Sequence, residues 1–358
     1  MKRRARFPNR TQNPSPKRPS ARFRGLGLAA LAAALLFTCR QHPVAETAFQ
    51  HDLGTGPKPW TSENFEAAEP DFTFAIISDL NGGERPGIFS RAVAQLNRLD
   101  PTFVLSVGDL IDGGTEDRLR LQQEWDFFDA RAKGLQMPFF YLGGNHDLTN
   151  VRMRQFWAER YGPRYYHFLY DNVLFLMLDS EDYSDKRMQE IYLARDTAIR
   201  IMDGQLEGTF EETTYYHMPE RNLGGMGDEQ LGYFREVIRQ HPNVRWTFLL
   251  MHKPLWLLED GMGLSRSTAP LEALEKELAG RNYTVINGHF HRMSHRKRNG
   301  MDYLILGTTG GSQAAGDSTA FDHVSLVRMA DTPVITHLRM DGVLQADGAL
   351  PPAVDPPR

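Results

Sequence analysis

The chain has 358 residues, 41% of them hydrophobic and 11% aromatic, enough for one large core and outside the fibrous and disordered classes. The formal net charge of −4 hides an asymmetry: residues 1–38 carry nine Lys and Arg and no acid, leaving 32 basic against 45 acidic residues in the remainder. An acidic body argues against nucleic acid as a specific partner, and the lone cysteine, Cys39, excludes an internal disulfide.

The basic start runs into Leu26–Phe37, a stretch of Leu, Ala, Gly and Phe. Its twelve residues fall short of the roughly 20 that span a bilayer, so the segment has the shape of a secretory signal. Cys39 follows in Leu36-Phe37-Thr38-Cys39, which resembles a bacterial lipoprotein cleavage box. Residues 1–39 are therefore read as an export segment. The expected location is the bacterial periplasm or cell envelope, with a lipid anchor to the membrane on Cys39; a plain cleaved signal is the alternative. Residues 40–70 are polar and rich in Pro and Gly, and read as a tether that wraps part of the domain that follows.

From Asp71 to residue 345 the pattern is that of one domain. Phe72–Ser78 reads as a strand, Gly87–Leu99 as an amphipathic helix, Phe103–Val107 as a strand, Glu116–Lys133 as a helix and Met137–Leu142 as a strand. Such alternation predicts an α/β fold with covered sheet faces. A helix over Arg152–Tyr161 follows, then strands Tyr165–Tyr170 and Val173–Asp179 joined by an Asp171-Asn172 turn. Residues 181–227 break the rhythm with a charged helix over Asp185–Met202 and a Gly-rich hinge at Gly224–Gly227, and read as an insertion over one face. Beyond it, Glu229–Gln240 and Pro270–Leu278 are helical. Trp246–Met251, Thr284–Asn287, Tyr303–Gly307, Asp322–Arg328 and Val334–Arg339 are β, and residues 346–358 a disordered tail.

Polar clusters follow the apolar runs in a fixed order: Asp79-Leu80-Asn81, Gly108-Asp109, Gly144-Asn145-His146-Asp147, His252, and Gly288-His289-Phe290-His291. Taken alone, an Asp at a strand end is more often a turn former than a ligand, and one His near an apolar strand is more often a core residue. Three His joined in order with Asp and Asn, each delivered from a strand end, reverse those odds. Period-two alternation lets His289 and His291 face one site. Adjacent side chains diverge, so Asn145 and His146 should do different work, and Asp112 is placed to orient a neighbouring His.

This series resembles the calcineurin-like metallophosphoesterases, with Asp-x-His, Gly-Asp, Gly-Asn-His-Asp, a lone His and Gly-His-x-His in order over roughly residues 71–330; Asn81 stands in place of the first imidazole. The resemblance implies a four-layer α/β/β/α sandwich and two divalent metal ions (Mn, Mg, Fe or Zn). It also implies hydrolysis of phosphomonoesters or phosphodiesters by a metal-bound hydroxide, with a small phosphorylated substrate. By position it implies Asp79 and His291 on the first metal, Asn145, His252 and His289 on the second, Asp109 bridging, and His146 as the catalytic contact to the phosphoryl group or leaving oxygen. Two ions in such a cage lower the pKa of a water and neutralise charge developing on the phosphoryl oxygens. Asn81 either ligates through its amide oxygen, which favours hard Mn²⁺ or Mg²⁺, or only orders its loop. With that motif altered, a weak or inactive binding protein on the same scaffold is the alternative function. The oligomeric state is not written in the sequence.

Overall fold

A computed structural model describes residues 48–65, 71–256 and 268–340. The export segment, Cys39 and the tail lie outside these residues. In chain order the elements are β1 (Phe49–Gln50), β2 (Thr73–Ile77), α1 (Ile88–Leu99), β3 (Phe103–Ser106), α2 (Arg118–Ala132), β4 (Phe139–Phe140), α3 (Val151–Tyr161), β5 (Tyr166–Tyr170) and β6 (Val173–Leu178). Then come α4 (Asp185–Met202), α5 (Thr214–His217), α6 (Asp228–Gln240), β7 (Trp246–Met251), α7 (Ala269–Glu277), β8 (Tyr283–Asn287), β9 (Ser294–Arg298), β10 (Met301–Ile305), β11 (His323–Met329) and β12 (Pro333–Arg339). Among the described residues no helix is long and apolar enough to cross a membrane.

The strands form two sheets, ordered β1-β5-β6-β7-β8-β10-β9 and β12-β11-β2-β3-β4. Because side chains alternate along a strand, each sheet offers one face to its neighbour and one to helices. On β2, Phe74 and Ile76 face the other sheet, while Ala75 and Ile77 pack with Phe89 of α1, Phe128 of α2 and Trp157 of α3. On β6, Phe175 and Met177 enter the inter-sheet core, while Leu174 and Leu176 meet Phe234 of α6 and Leu271 of α7. The result is the expected α/β/β/α sandwich. Its middle layer is aromatic: Phe103, fully buried, stacks on Phe74 and meets Phe140, Phe168 and Phe175 edge-on. Truncation to Ala there would remove about 3–5 kcal/mol of stability.

Three differences from the sequence reading have local causes. Part of the stretch read as a tether belongs to the sheets: β1 pairs antiparallel with β5, and Trp60 bridges Phe140. The expected strand Met137–Leu142 shrinks to two residues, since Pro138 has no amide to give and the Tyr141 amide donates instead to Pro59 O, at 2.8 Å. Strand β9 was not anticipated. Its Ser-His-Arg-Lys-Arg sequence reads as a polar loop, yet charges of that kind suit the exposed edge strand it forms beside β10.

Candidate metal centre

The polar clusters meet where β2, β3, β4, β7 and β8 end. The chain leaves these strands through left-handed residues: Asp79 (φ 43°), Asp109 (φ 59°), His289 (φ 78°) and His291 (φ 54°). Such a conformation is disfavoured for residues other than Gly and clusters where side-chain aim matters more than local strain. Close backbone approach makes the glycines part of the site: a Cβ on Gly108 would lie 2.7 Å from the Gly144 amide nitrogen, so the two loops touch through backbone. The Asp147 carboxylate, fully buried, fastens them by accepting from the amides of Asp109 (2.7 Å), Leu110 (2.9 Å) and Gly144 (2.8 Å). Burial and the Asp109 charge push its pKa up to about 8, against those amide donors.

Two groups of side chains gather with their ligand atoms within 4.8 Å of one another: Asp109 with His252 and His289, and Asp79 with Asp109 and His291. Asp109 is common to both. His252 Nε2 lies 3.0 Å from Asp109 Oδ2 and 3.1 Å from Asn145 Oδ1, and His291 Nε2 lies 3.2 Å from Asp79 Oδ1. The two imidazoles of the last motif therefore serve different groups. They reach them by left-handed turns beyond β8, not by strand alternation, which corrects the period-two argument.

The donor set fits a pair of metal ions on two counts. Each imidazole is held at its remote nitrogen by a main-chain carbonyl, as metal-bound histidines usually are: His252 Nδ1 by Val107 O (2.9 Å), His289 Nε2 by Arg221 O (2.8 Å) and His291 Nδ1 by Ser312 O (2.7 Å). That leaves the other ring nitrogen of each facing inward. Asn81 donates from Nδ2 to Asp109 Oδ2 at 2.6 Å, while its Oδ1, buried, has no hydrogen-bond partner. A buried acceptor without a donor is costly and rare, and a cation beside it would satisfy it.

Charges within the centre are strongly coupled. Burial opposes ionisation of Asp109, yet His252 and His146 beside it hold its carboxyl well below the ordinary range. Against burial, Asp109 raises His252 to about 9, and Asp79 likewise raises His291. Burial, reinforced by Lys253, drives His289 well down. Ion binding at His252 must therefore displace a proton.

His146 sits apart from both groups. Its amide donates to Asp109 Oδ1 (2.8 Å), its Nδ1 meets the Asp112 carbonyl (2.7 Å), and its Nε2 lies 3.1 Å from Arg195 Nη2. Asp112 thus orients His146 through its backbone. Burial lowers His146 to about 4, so the protonated form needed for a proton donor is opposed until an anion enters.

Sequence reasoning missed Arg195, the Arg221 carbonyl and the clamping role of Asp147. A cleft of about 480 Å³ over the centre draws Arg195, Ala198, Ile199, Met202, Phe210 and Tyr215 from residues 181–227, so this stretch roofs the site. Several other charges are paired within the fold: Arg85 with Asp322 at 2.6 Å, Glu84 with Arg131, and Lys253 with Glu181 at 3.0 Å. Tyr166 is buried between the sheets, and Tyr215 lines the cleft.

A sandwich whose strand ends present one carboxylate shared between two imidazole-bearing groups has the make-up of a two-metal hydrolytic protein. Residues 72–293 match the family model of calcineurin-like phosphoesterases, and the chain belongs to that family. It is 24% identical over 209 residues to a probable glycerophosphodiester phosphodiesterase of Arcobacter nitrofigilis, covering 56% of this chain and 62% of that protein. Over 233 residues it is 26% identical to the human serine/threonine-protein phosphatase CPPED1, covering 62% of this chain and 63% of that one. The chain thus spans under two thirds of either relative. The crystal structure of a dimetal phosphatase from Danio rerio superposes with a TM-score of 0.53 at 14% identity, over 75% of this chain and 96% of that one, a likeness of fold.

Proposed function

We propose that this chain is a metal-dependent phosphoesterase that hydrolyses phosphomonoester or phosphodiester bonds of a small substrate. One observation carries the reading: the Asp109 carboxylate belongs to both ligand groups, the placement that a bridge between two ions requires. Asp79, His291 and the free Oδ1 of Asn81 would hold the first ion, and Asn145, His252 and His289 the second. Ions so held supply an activated water and charge neutralisation at phosphorus. With Oδ1 of Asn81 and a carboxylate but one imidazole, the first position favours Mn²⁺ or Mg²⁺ over Zn²⁺. Asp147 fixes the loop that aims Asp109. His146, held by the Asp112 carbonyl, presents Nε2 to the cleft where the phosphoryl group and leaving oxygen would lie.

The test is turnover of 4-nitrophenyl phosphate and of a matching diester by the full chain with Mn²⁺. Hydrolysis that disappears in Asp109→Ala is the expected result. Full ion loading with no turnover across mono- and diesters would favour the binding-protein alternative.

Export and lipid anchoring on Cys39 are part of the same proposal. They are supported by the basic start, the apolar run Leu26–Phe37 and the cysteine just after it. In a bacterial host the chain should fractionate with membranes and take up radiolabelled palmitate, and Cys39→Ala should do neither. A wild-type chain recovered unlabelled in the soluble periplasmic fraction would reduce the segment to a plain cleaved signal.

A further inference from the structure

Arg195 has no role in the chemistry assigned so far, and its setting is unusual. It lies on α4 with 8% of its surface exposed, and its described hydrogen-bond contacts are the two ring nitrogens of His146, at 3.1 and 3.5 Å from Nη2. Other buried arginines have carboxylates: Arg131 meets Glu84, and Arg154 comes within 3.8 Å of Asp185. A buried guanidinium without a counter-charge is costly, and a neutral imidazole does not discharge that cost. The fold leaves room for it all the same, since a Cβ on Gly114 would stand 2.6 Å from Arg195 Nη1.

Helical spacing gives this charge a context. Arg195, Ala198, Ile199 and Met202 fall at i, i+3, i+4 and i+7 and line the same cleft as Asp109, His146 and His289. One turn of α4 therefore sets a fixed positive charge at the ion-holding floor, and the next turns set an apolar wall above it, continued by Phe210. Two divalent ions and a guanidinium outweigh the Asp79 and Asp109 carboxylates, so the floor calls for a multiply charged anion. The forked donors of a guanidinium pair best with two oxygens of one phosphate. A terminal phosphate offers a third non-bridging oxygen and a second negative charge, and a diester offers neither.

Building on the phosphoesterase reading, we infer that Arg195 recognises a dianionic terminal phosphate, and that the substrate is a phosphomonoester whose alcohol carries an apolar group seated against Ala198, Ile199, Met202 and Phe210. In the reaction the P–O bond to that alcohol breaks, a water oxygen joins phosphorus, and the water's protons are shared between the released alcohol and inorganic phosphate. Arg195 holds non-bridging oxygens throughout and exchanges no proton.

The test uses the full chain loaded with Mn²⁺, as wild type, Arg195→Gln and Arg195→Lys. Inorganic phosphate binding is followed by calorimetry, and kcat/KM is measured for 4-nitrophenyl phosphate and methyl 4-nitrophenyl phosphate. Arg195→Gln should weaken phosphate binding at least about 10-fold and lower monoester kcat/KM about 100-fold, while diester turnover falls less than about 5-fold. Arg195→Lys should recover part of both losses, because a charge without the fork remains. Unchanged phosphate affinity in both variants, or equal losses on the two esters, overturns the inference. Hexyl phosphate should show a lower KM than glycerol 3-phosphate, a gap that Ile199→Asn narrows; the opposite order removes the apolar wall from the argument. A wild-type chain that binds phosphate through Arg195 but turns over neither ester would refute the phosphoesterase reading and leave anion recognition standing.

Discussion

The two ion positions share Asp109 but are built differently. The side with His252 and His289 is rich in nitrogen, and His252 is fully buried with its remote nitrogen on the Val107 carbonyl. The side with Asp79, Asn81 and His291 is rich in oxygen, and its Asp79 and Asn81 are as deeply buried as His252. Imidazole donors suit tight retention of borderline ions, and oxygen donors suit hard ions that exchange readily. The difference teaches that one shared carboxylate can join two positions of different ion preference.

Asp109→Ala removes what the halves have in common, so it should abolish both turnover and paired binding, read as ions per chain by elemental analysis. If two equivalents remained, the shared carboxylate would not be the link. His146→Ala touches neither half; it should keep both equivalents yet lose about 100- to 1,000-fold in kcat. An ion lost with that change would move His146 into the ligand set. Asn81→Ala should weaken only the oxygen-rich position, by about 10- to 100-fold in affinity, with one equivalent retained. Asn81→His should shift that position toward Zn²⁺, and identical titrations for all three Asn81 forms would mean that the residue merely orders its loop.

The smallest effect lies beside the oxygen-rich half. His323 is fully buried with neither ring nitrogen hydrogen-bonded, and burial, with His337 nearby, lowers its pKa to about 3. An unfolded chain takes up this proton near pH 6.5, and the folded one resists it until about pH 3. The unfolded state therefore binds more protons between those values, and the contribution present above pH 6.5 shrinks as pH falls through that window. His323→Leu should lower the midpoint of acid unfolding. An unchanged or higher midpoint would place the acid sensitivity elsewhere.

Much of the floor was legible because each polar cluster ends an apolar run. A strand hidden between layers cannot use Asp79, Asp109 or His252 internally, so it delivers them at its end. The turn at Asp171-Asn172 was legible for a similar reason: both residues adopt the positive φ that Asn and Asp tolerate, closing the β5–β6 hairpin. The roof was not. Arg195 lies 49 residues from His146, and nothing in the local pattern of a charged helix says which of its arginines turns inward. The role of residue 221 is harder still, since its carbonyl makes the contact and a side-chain code is silent about that. The pairing of Phe49 and Trp60 with the sheet depends on open edges at β5 and β4, which appear only after the sheets assemble.

The Arg221 carbonyl ties the roof to the nitrogen-rich ion position, because it holds the remote nitrogen of His289. Free energies around a closed cycle must balance, so whatever lifts residues 181–227 loosens the ion at His289, and loading that ion draws the roof down by the same amount. Mn²⁺ should accordingly slow protease cutting within residues 203–209 of the wild-type chain. His289→Ala should leave that cutting indifferent to Mn²⁺. Occupancy below then acts as a latch on access from above.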